Sequence, residues 1–201
     1  NRRERKEISK YYENVKGLTG QELKTALHKL IRDHKVYPYF SDSIGVGEMM
    51  MVLDEDPVNP DNIILFYTGR SQLKEFTDLG NRFDYKREFN SIHENSWNRE
   101  HIWPKSHGFP NMTDTAYTDI HHLRPADRSV NGDRGTRNFD WGGFRHREAE
   151  DCFSDFDSWE PRDEVKGDVA RMMFYMAVRY EGKNSPYDLE LVDYTNTSGQ
   201  V

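Results

Sequence analysis

The chain has 201 residues, a net charge of −7 with its histidines neutral, 35% hydrophobic and 31% charged residues. That length suits one domain, which can bury roughly 70% of its unfolded surface, and 13% aromatic content supplies enough large core pieces to exclude a disordered chain. No run approaches the ~18 apolar residues of a membrane helix, and the single cysteine, Cys152, excludes an intrachain disulfide framework or a CxxC zinc cage.

In chain order, residues 1–10 (NRRERKEISK) are strongly charged and are expected to be a flexible segment preceding one domain over 11–201. A start at Asn1 without a signal peptide is what a processed or trimmed product would show. A helix is expected over 20–34, with Thr19 and Glu22 at capping-box spacing and Leu23, Ala26, Leu27, Leu30 and Ile31 on one stripe. Residues 49–53 and 63–67 read as buried strands joined by the loop DEDPVNPDN. Residues 68–96 carry no clear pattern.

A short strand-like run holds Glu100 and His101 and ends by Pro104; residues 105–118 read as loop. Residues 119–123 read as a second strand. Pro125 suits a first helical position, with a helix over 126–131 ended by Gly132 or Gly135. Residues 165–180 give the strongest helix, with Val165, Val169, Met172, Met173, Met176 and Tyr180 on one core-facing stripe. The class expected is α+β, mainly helical, around a small sheet.

Charge is unevenly spread. Residues 97–147 hold eight basic residues against six acidic ones and five of the eight histidines, a local +2 that leaves −9 for the rest. Hydrolysis of a phosphodiester needs a base near neutral pH, which suits histidine. It also needs a hard cation with oxygen ligands, and cationic side chains to hold flanking phosphates. The middle block supplies His101, Glu100, Asn131 and several arginines. Glu100 could instead form a surface pair with Arg99 or Lys105, and Asn131 could serve as a helix C-cap. His107, His121 and His122 could form a zinc site, although no ligand spacing supports one.

The segments NSWNREHIWPKSHG and DIHHLRPADRSVNGDRGTRNF, with YYENVKGLTGQELKTALHKLI and KGDVARMMFYMAVRY around them, resemble the bacterial endonuclease I family, whose members are ββα-metal (His-Me finger) nucleases. The resemblance covers roughly residues 11–182, with the ββα-metal motif at about 97–135. It implies a Mg²⁺-dependent, largely sequence-nonspecific endonuclease acting on DNA, RNA or both, with Mn²⁺ or Ca²⁺ as alternative metals. His101 would be the general base, with Glu100 and Asn131 the metal ligands. Arg124 would clamp the scissile phosphate, unless it pairs with Asp127, and Arg99, Arg128 and Arg134 would grip the backbone. Asp119 and His121 would support the site, and Arg171 could reach it. The resemblance also implies a secreted or periplasmic protein, here without disulfides. The competing readings are an inactive nucleic-acid-binding module, a glycan hydrolase using an acidic pair such as Asp155 and Asp157, and a structural protein with its histidines satisfied in the core.

Overall fold

A computed structural model describes residues 2–41, 43–79, 96–182 and 188–194. Among them the α+β class is realised as five α-helices and eight short strands in three small sheets. The charged start forms the exposed helix α1 (Arg2–Tyr11). Helix α2 (Gly20–Ile31) follows Thr19, which takes the N-cap position in extended backbone without a capping side-chain bond.

The apolar run at 49–53 is not a strand. It belongs to helix α3 (Val46–Leu53), which opens where Glu48 accepts a hydrogen bond from the Gly45 N–H at 2.9 Å. A short run apolar on every side carries no period, and methionine is a good helix former. One face wins: Val46 and Met50, four apart, are buried with Ile63, Leu65, Trp97 and Leu123, while Val52 and Leu53 lie exposed. Strand β1 (Asn62–Ile64) pairs with β2 (Ser71–Leu73). It covers less than the expected 63–67, because the chain turns after Ile64.

Strand β3 (Trp97–His101) pairs antiparallel with β4 (Leu123–Asp127), and helix α4 (Arg128–Arg134) follows at once. The second strand therefore starts four residues later than the sequence suggests, and Pro125 sits inside it. The Pro125 carbonyl accepts the Phe66 N–H at 2.8 Å, on the edge facing away from β3. The nitrogen of a strand residue points the same way as its carbonyl, so the missing N–H removes no β3–β4 bond. Helix α4 ends at Gly135, whose φ of +59° favours glycine. Beyond it, β5 (Asn138–Phe139), β6 (Phe144–Arg145), β7 (Phe153–Ser154) and β8 (Ser158–Glu160) make a four-stranded sheet in the order β5-β8-β7-β6.

Helix α5 (Asp163–Arg179) is the spine. Val165, Val169 and Met172 pack with Ile102, Val130 and Trp159, and Met176, Ala177 and Tyr180 pack with Trp103, Phe109 and Tyr117. Its methionine stripe is core, as are Trp97 and Trp103. The same helix holds a buried carboxylate: Asp119 accepts hydrogen bonds from Tyr175 Oη at 3.0 Å, Tyr180 Oη at 2.8 Å and His121 Nδ1 at 2.8 Å. His34 Nε2 lies 3.5 Å away. These bonds fasten the segment before β4 to α5.

Burial alone would raise the Asp119 pKa, but the His121 hydrogen bond and the neighbouring His34 and His122 outweigh it and hold the carboxyl well below its ordinary range. Such a group stabilises the fold above the unfolded pKa of about 3.9 and loses that contribution as pH falls, because the unfolded chain takes up its proton first. Burial lowers the pKa of His34, His101 and His107, and that of His122 to about 4. For these the unfolded chain protonates first below about pH 6.5. From these five groups, unfolding free energy measured in urea should decline below pH ~6.5, through the histidines, and keep declining below ~4, where Asp119 takes over as His122 is protonated in the folded chain as well. Asp119→Asn should lose about 2 kcal/mol at pH 7 together with part of the decline below pH ~4; a variant whose decline there is undiminished would assign it to other groups.

Candidate active site

The site is built on the outer edge of a two-stranded ribbon. Near its start β3 is bridged to Thr77, but along 98–101 no strand among the described residues pairs with its outer edge. Neighbouring strand residues point to opposite faces. Asn98 and Glu100 reach towards α4, while Arg99 and His101 meet Tyr39 on the other side. A cleft of about 620 Å³ along that open edge receives both sets, so Glu100, His101 and Asn131 all line it.

His101 is held from three sides. Its Nε2 lies 3.0 Å from the Tyr117 carbonyl, and its ring stacks 6.0 Å from Tyr39 and meets Tyr117 edge-on at 4.8 Å. A carbonyl only accepts, so Nε2 carries the proton in this bond and the neutral ring has its lone pair at Nδ1. Burial, followed by the nearby His122, Lys105 and Arg99, pushes the His101 pKa well down and keeps the ring neutral at pH 7.

Glu100 is nearly inaccessible, at 2% exposure, and burial raises its pKa against the opposing charge of Arg134. Tyr67 Oη donates to its Oε1 at 2.6 Å and Arg134 Nη1 at 3.0 Å, so both side-chain donors converge on one oxygen. Asn131, on α4, donates from Nδ2 to Asn98 Oδ1 at 2.7 Å and to the Arg99 carbonyl at 3.2 Å. With its nitrogen committed, Oδ1 remains the acceptor. A carboxylate whose second oxygen has no side-chain donor among the described residues, and an amide oxygen on the same cleft, fit a hard cation, which takes oxygen ligands and retains waters. Among the described residues no three His, Cys, Asp or Glu side chains form a metal cluster. The zinc alternative is thus not assembled, because His122 Nε2 is bonded to the Ala116 carbonyl and His121 Nδ1 to Asp119.

The cations are sorted differently from the sequence expectation. Arg134 is not among the residues that line the cleft. It is 1% exposed and gives its two terminal nitrogens to Glu100 and to the carbonyls of His101 and Ile102, each at 3.0 Å. A buried guanidinium must be paired and hydrogen-bonded, and this one crosses from α4 to the end of β3. Arg124 also lies away from the cleft, with Nη1 3.3 Å from the Leu123 carbonyl and 3.6 Å from Asp54. The later start of β4 puts it beside the end of α3. Its alternative partner Asp127 is taken by Arg70 and Thr68. Arg99 and Arg128 do line the cleft, Arg99 against the Tyr39 ring at 3.7 Å and Arg128 paired with Asp78 at 3.2 Å. Arg171 is exposed and paired with Asp168.

Asp119 and His121 lie outside the cleft, and His121 stacks on Tyr175 at 4.4 Å. Asp119 anchors the loop whose Tyr117 carbonyl holds His101. Asp155 only builds the turn between β7 and β8, accepting from Ser158 and Asp157.

Sequence reasoning missed Lys105, Tyr39, Tyr67 and Asn98. Lys105 lines the cleft and donates to Tyr117 Oη at 2.8 Å. A usable signal existed for Arg134: it lies three residues after Asn131 and so shares its helix face. The tyrosines are distant in sequence and carry no spacing signal. Removing Arg134 would leave Glu100 and two carbonyls short of donors, so Arg134→Ala should lower the unfolding free energy by about 3 kcal/mol. A loss under 1 kcal/mol in a denaturant titration would refute this anchoring role.

Over residues 19–200 the chain matches the Endonuclease I family. It is 49% identical over 185 residues to the extracellular ribonuclease of Bacillus subtilis (strain 168), covering 92% of this chain and 58% of that protein. It is 48% identical over 185 residues to the extracellular ribonuclease of Bacillus amyloliquefaciens, again covering 92% of this chain and 58% of the relative. The chain thus spans less than two thirds of the length of these relatives. The family match takes in the whole hairpin, α4 and α5, and the chain belongs to the Endonuclease I family.

Proposed function

We propose that the protein is a metal-dependent, largely sequence-nonspecific endonuclease that hydrolyses phosphodiester bonds of RNA and also DNA. The observation that carries this reading is the meeting of His101, Glu100 and Asn131 on one cleft, with His101 Nε2–H donating to the Tyr117 carbonyl and Nδ1 left with its lone pair. His101 Nδ1 takes a proton from a water, the oxygen attacks phosphorus, and the bond to the leaving ester oxygen breaks. A hard divalent cation, Mg²⁺ or alternatively Mn²⁺ or Ca²⁺, held by Glu100 and Asn131 Oδ1, would neutralise charge on the phosphoryl and leaving oxygens when bound. In this reading the hairpin and α4 are a ββα-metal unit.

Arg99, Lys105 and Arg128 outnumber Asp78 and Glu100 around the cleft and give it a local positive balance on an acidic body. They contact phosphates rather than base edges, which makes cutting insensitive to sequence. RNA as substrate is supported by the names of the two relatives, and secretion by their description as extracellular. No helix among the described residues is long and apolar enough to cross a membrane.

Digestion of structured RNA and of supercoiled plasmid, with Mg²⁺ and with EDTA, tests the reading. Cleavage should need the metal, weaken as salt rises, and fall by roughly 10²–10⁴ in His101→Ala. Full activity in that variant or in EDTA would overturn the proposal. Metal-independent binding without any cleavage would instead indicate an inactive binding module.

A further inference from the structure

Arg134 fixes where the Glu100 carboxylate sits, but one donor does not fix its twist. The last torsion of a glutamate side chain is soft and roughly two-fold. Arg134 Nη1 is shared between Glu100 Oε1 and the His101 carbonyl, each at 3.0 Å, while Nη2 serves the Ile102 carbonyl. An arginine fork readily takes both oxygens of a carboxylate. A Glu100 carboxylate held by Arg134 alone is thus free to turn Oε2 towards the guanidinium and away from the cleft.

A second donor removes that freedom. Tyr67 Oη donates to the same Oε1 at 2.6 Å, the shorter of the two side-chain bonds. The two donors come from different elements, α4 and the turn after β1, so together they hold the carboxylate plane. Glu100 lines the cleft, and its Oε2 is not among the buried polar atoms sealed off without a partner.

The hydroxyl is carried on a rigid ring. Tyr67 is fully buried, and its ring meets Phe66 at 5.5 Å and Trp159 at 5.2 Å, both edge-on. Its backbone is pinned as well: the Phe66 N–H donates to the Pro125 carbonyl at 2.8 Å, and Cys152 Sγ donates to the Tyr67 carbonyl at 3.4 Å. A buried tyrosine hydroxyl needs an acceptor, and a purely structural role would end there. The choice of Oε1, already taken by Arg134, is what points further.

We propose that Tyr67 is a positioning residue: its hydroxyl fixes the twist of the Glu100 carboxylate and so reserves Oε2 for a divalent cation in the cleft. The inference rests on the reading of Glu100 as a cation ligand. It gives Tyr67 no contact with ion or substrate. Partners that orient a metal ligand in this way contribute roughly 10–100-fold to metal affinity.

The test titrates Mn²⁺ into the full chain, without nucleic acid, and follows free Mn²⁺ by electron paramagnetic resonance. Tyr67→Phe keeps the ring and removes only the hydroxyl. Its Mn²⁺ Kd should rise roughly 10–100-fold, and cleavage should recover as Mn²⁺ is raised to saturation. Cys152→Ala disturbs the same core cluster without touching Glu100. It should lower stability in a denaturant titration and leave the Mn²⁺ Kd unchanged. An unchanged Kd in Tyr67→Phe, or an equal rise in Cys152→Ala, would overturn the inference. In the native protein, bound Mn²⁺ should broaden the Tyr67 ring signals in NMR, and a ring that stays sharp would also overturn it, whether or not Tyr67→Phe folds. No Mn²⁺ binding by the native protein would remove both this inference and the cation reading beneath it. Tyr67-dependent Mn²⁺ binding with no cleavage of RNA or plasmid would leave the inference standing and refute the nuclease reading, so the two failures are separable.

Discussion

A single buried guanidinium makes the hairpin and α4 one unit. Arg134 reaches from the last turn of α4 to the Glu100 carboxylate and to two consecutive carbonyls at the end of β3. Moving such a charge out of water costs several kcal/mol unless it is paired and hydrogen-bonded, so the bonds of its two terminal nitrogens fix the helix against the strand. Phe139 covers one face, 4.6 Å from the guanidinium. Asn131 lies one turn earlier on the same helix and arrives at the cleft through the same contact. The orientation of Glu100, the placement of Asn131 and the end of β3 are therefore consequences of one ion pair.

His101 is governed by a second constraint. Its ring is set by the Tyr117 carbonyl, and the loop bearing that carbonyl is tied to α5 by Asp119. His101 and the metal-ligand candidates thus hang from different anchors, one on α5 and one on α4, which meet along the edge of β3. That edge can serve both because, along 98–101, β3 has a strand partner among the described residues on one side alone. An additional strand along 98–101 would close the cleft, so the small size of this sheet keeps it open.

Much of this was legible in the sequence because the chemistry is clustered. Glu100 and His101 are adjacent, and Asn131 sits on a helix close behind. The long helix also read correctly from its methionine stripe. The errors share a physical origin. Residues 49–53 have no apolar period, so tertiary packing chose the helix. Pro125 looked like a helix start because its tolerance inside β4 depends on which strand edge faces Phe66. That shift of four residues removed Arg124 from the cleft. Arg134 looked like a phosphate contact because a sequence does not show which arginines have a buried carboxylate waiting. Tyr39 and Tyr67 are joined to the site only by the fold. Residues 80–95, which the sequence left unplaced, lie outside the described residues.

The central claim is that Glu100 and Asn131 form one cation site beside a histidine that takes no part in holding the ion. Counting bound Mn²⁺ per chain by electron paramagnetic resonance, in the native protein and in Glu100→Gln, Asn131→Ala and His101→Ala, tests it most directly. The account predicts one bound ion in the native protein and in His101→Ala, with weakened or absent binding in the other two. Undiminished binding in Glu100→Gln and Asn131→Ala, or loss of the ion in His101→Ala, would contradict it.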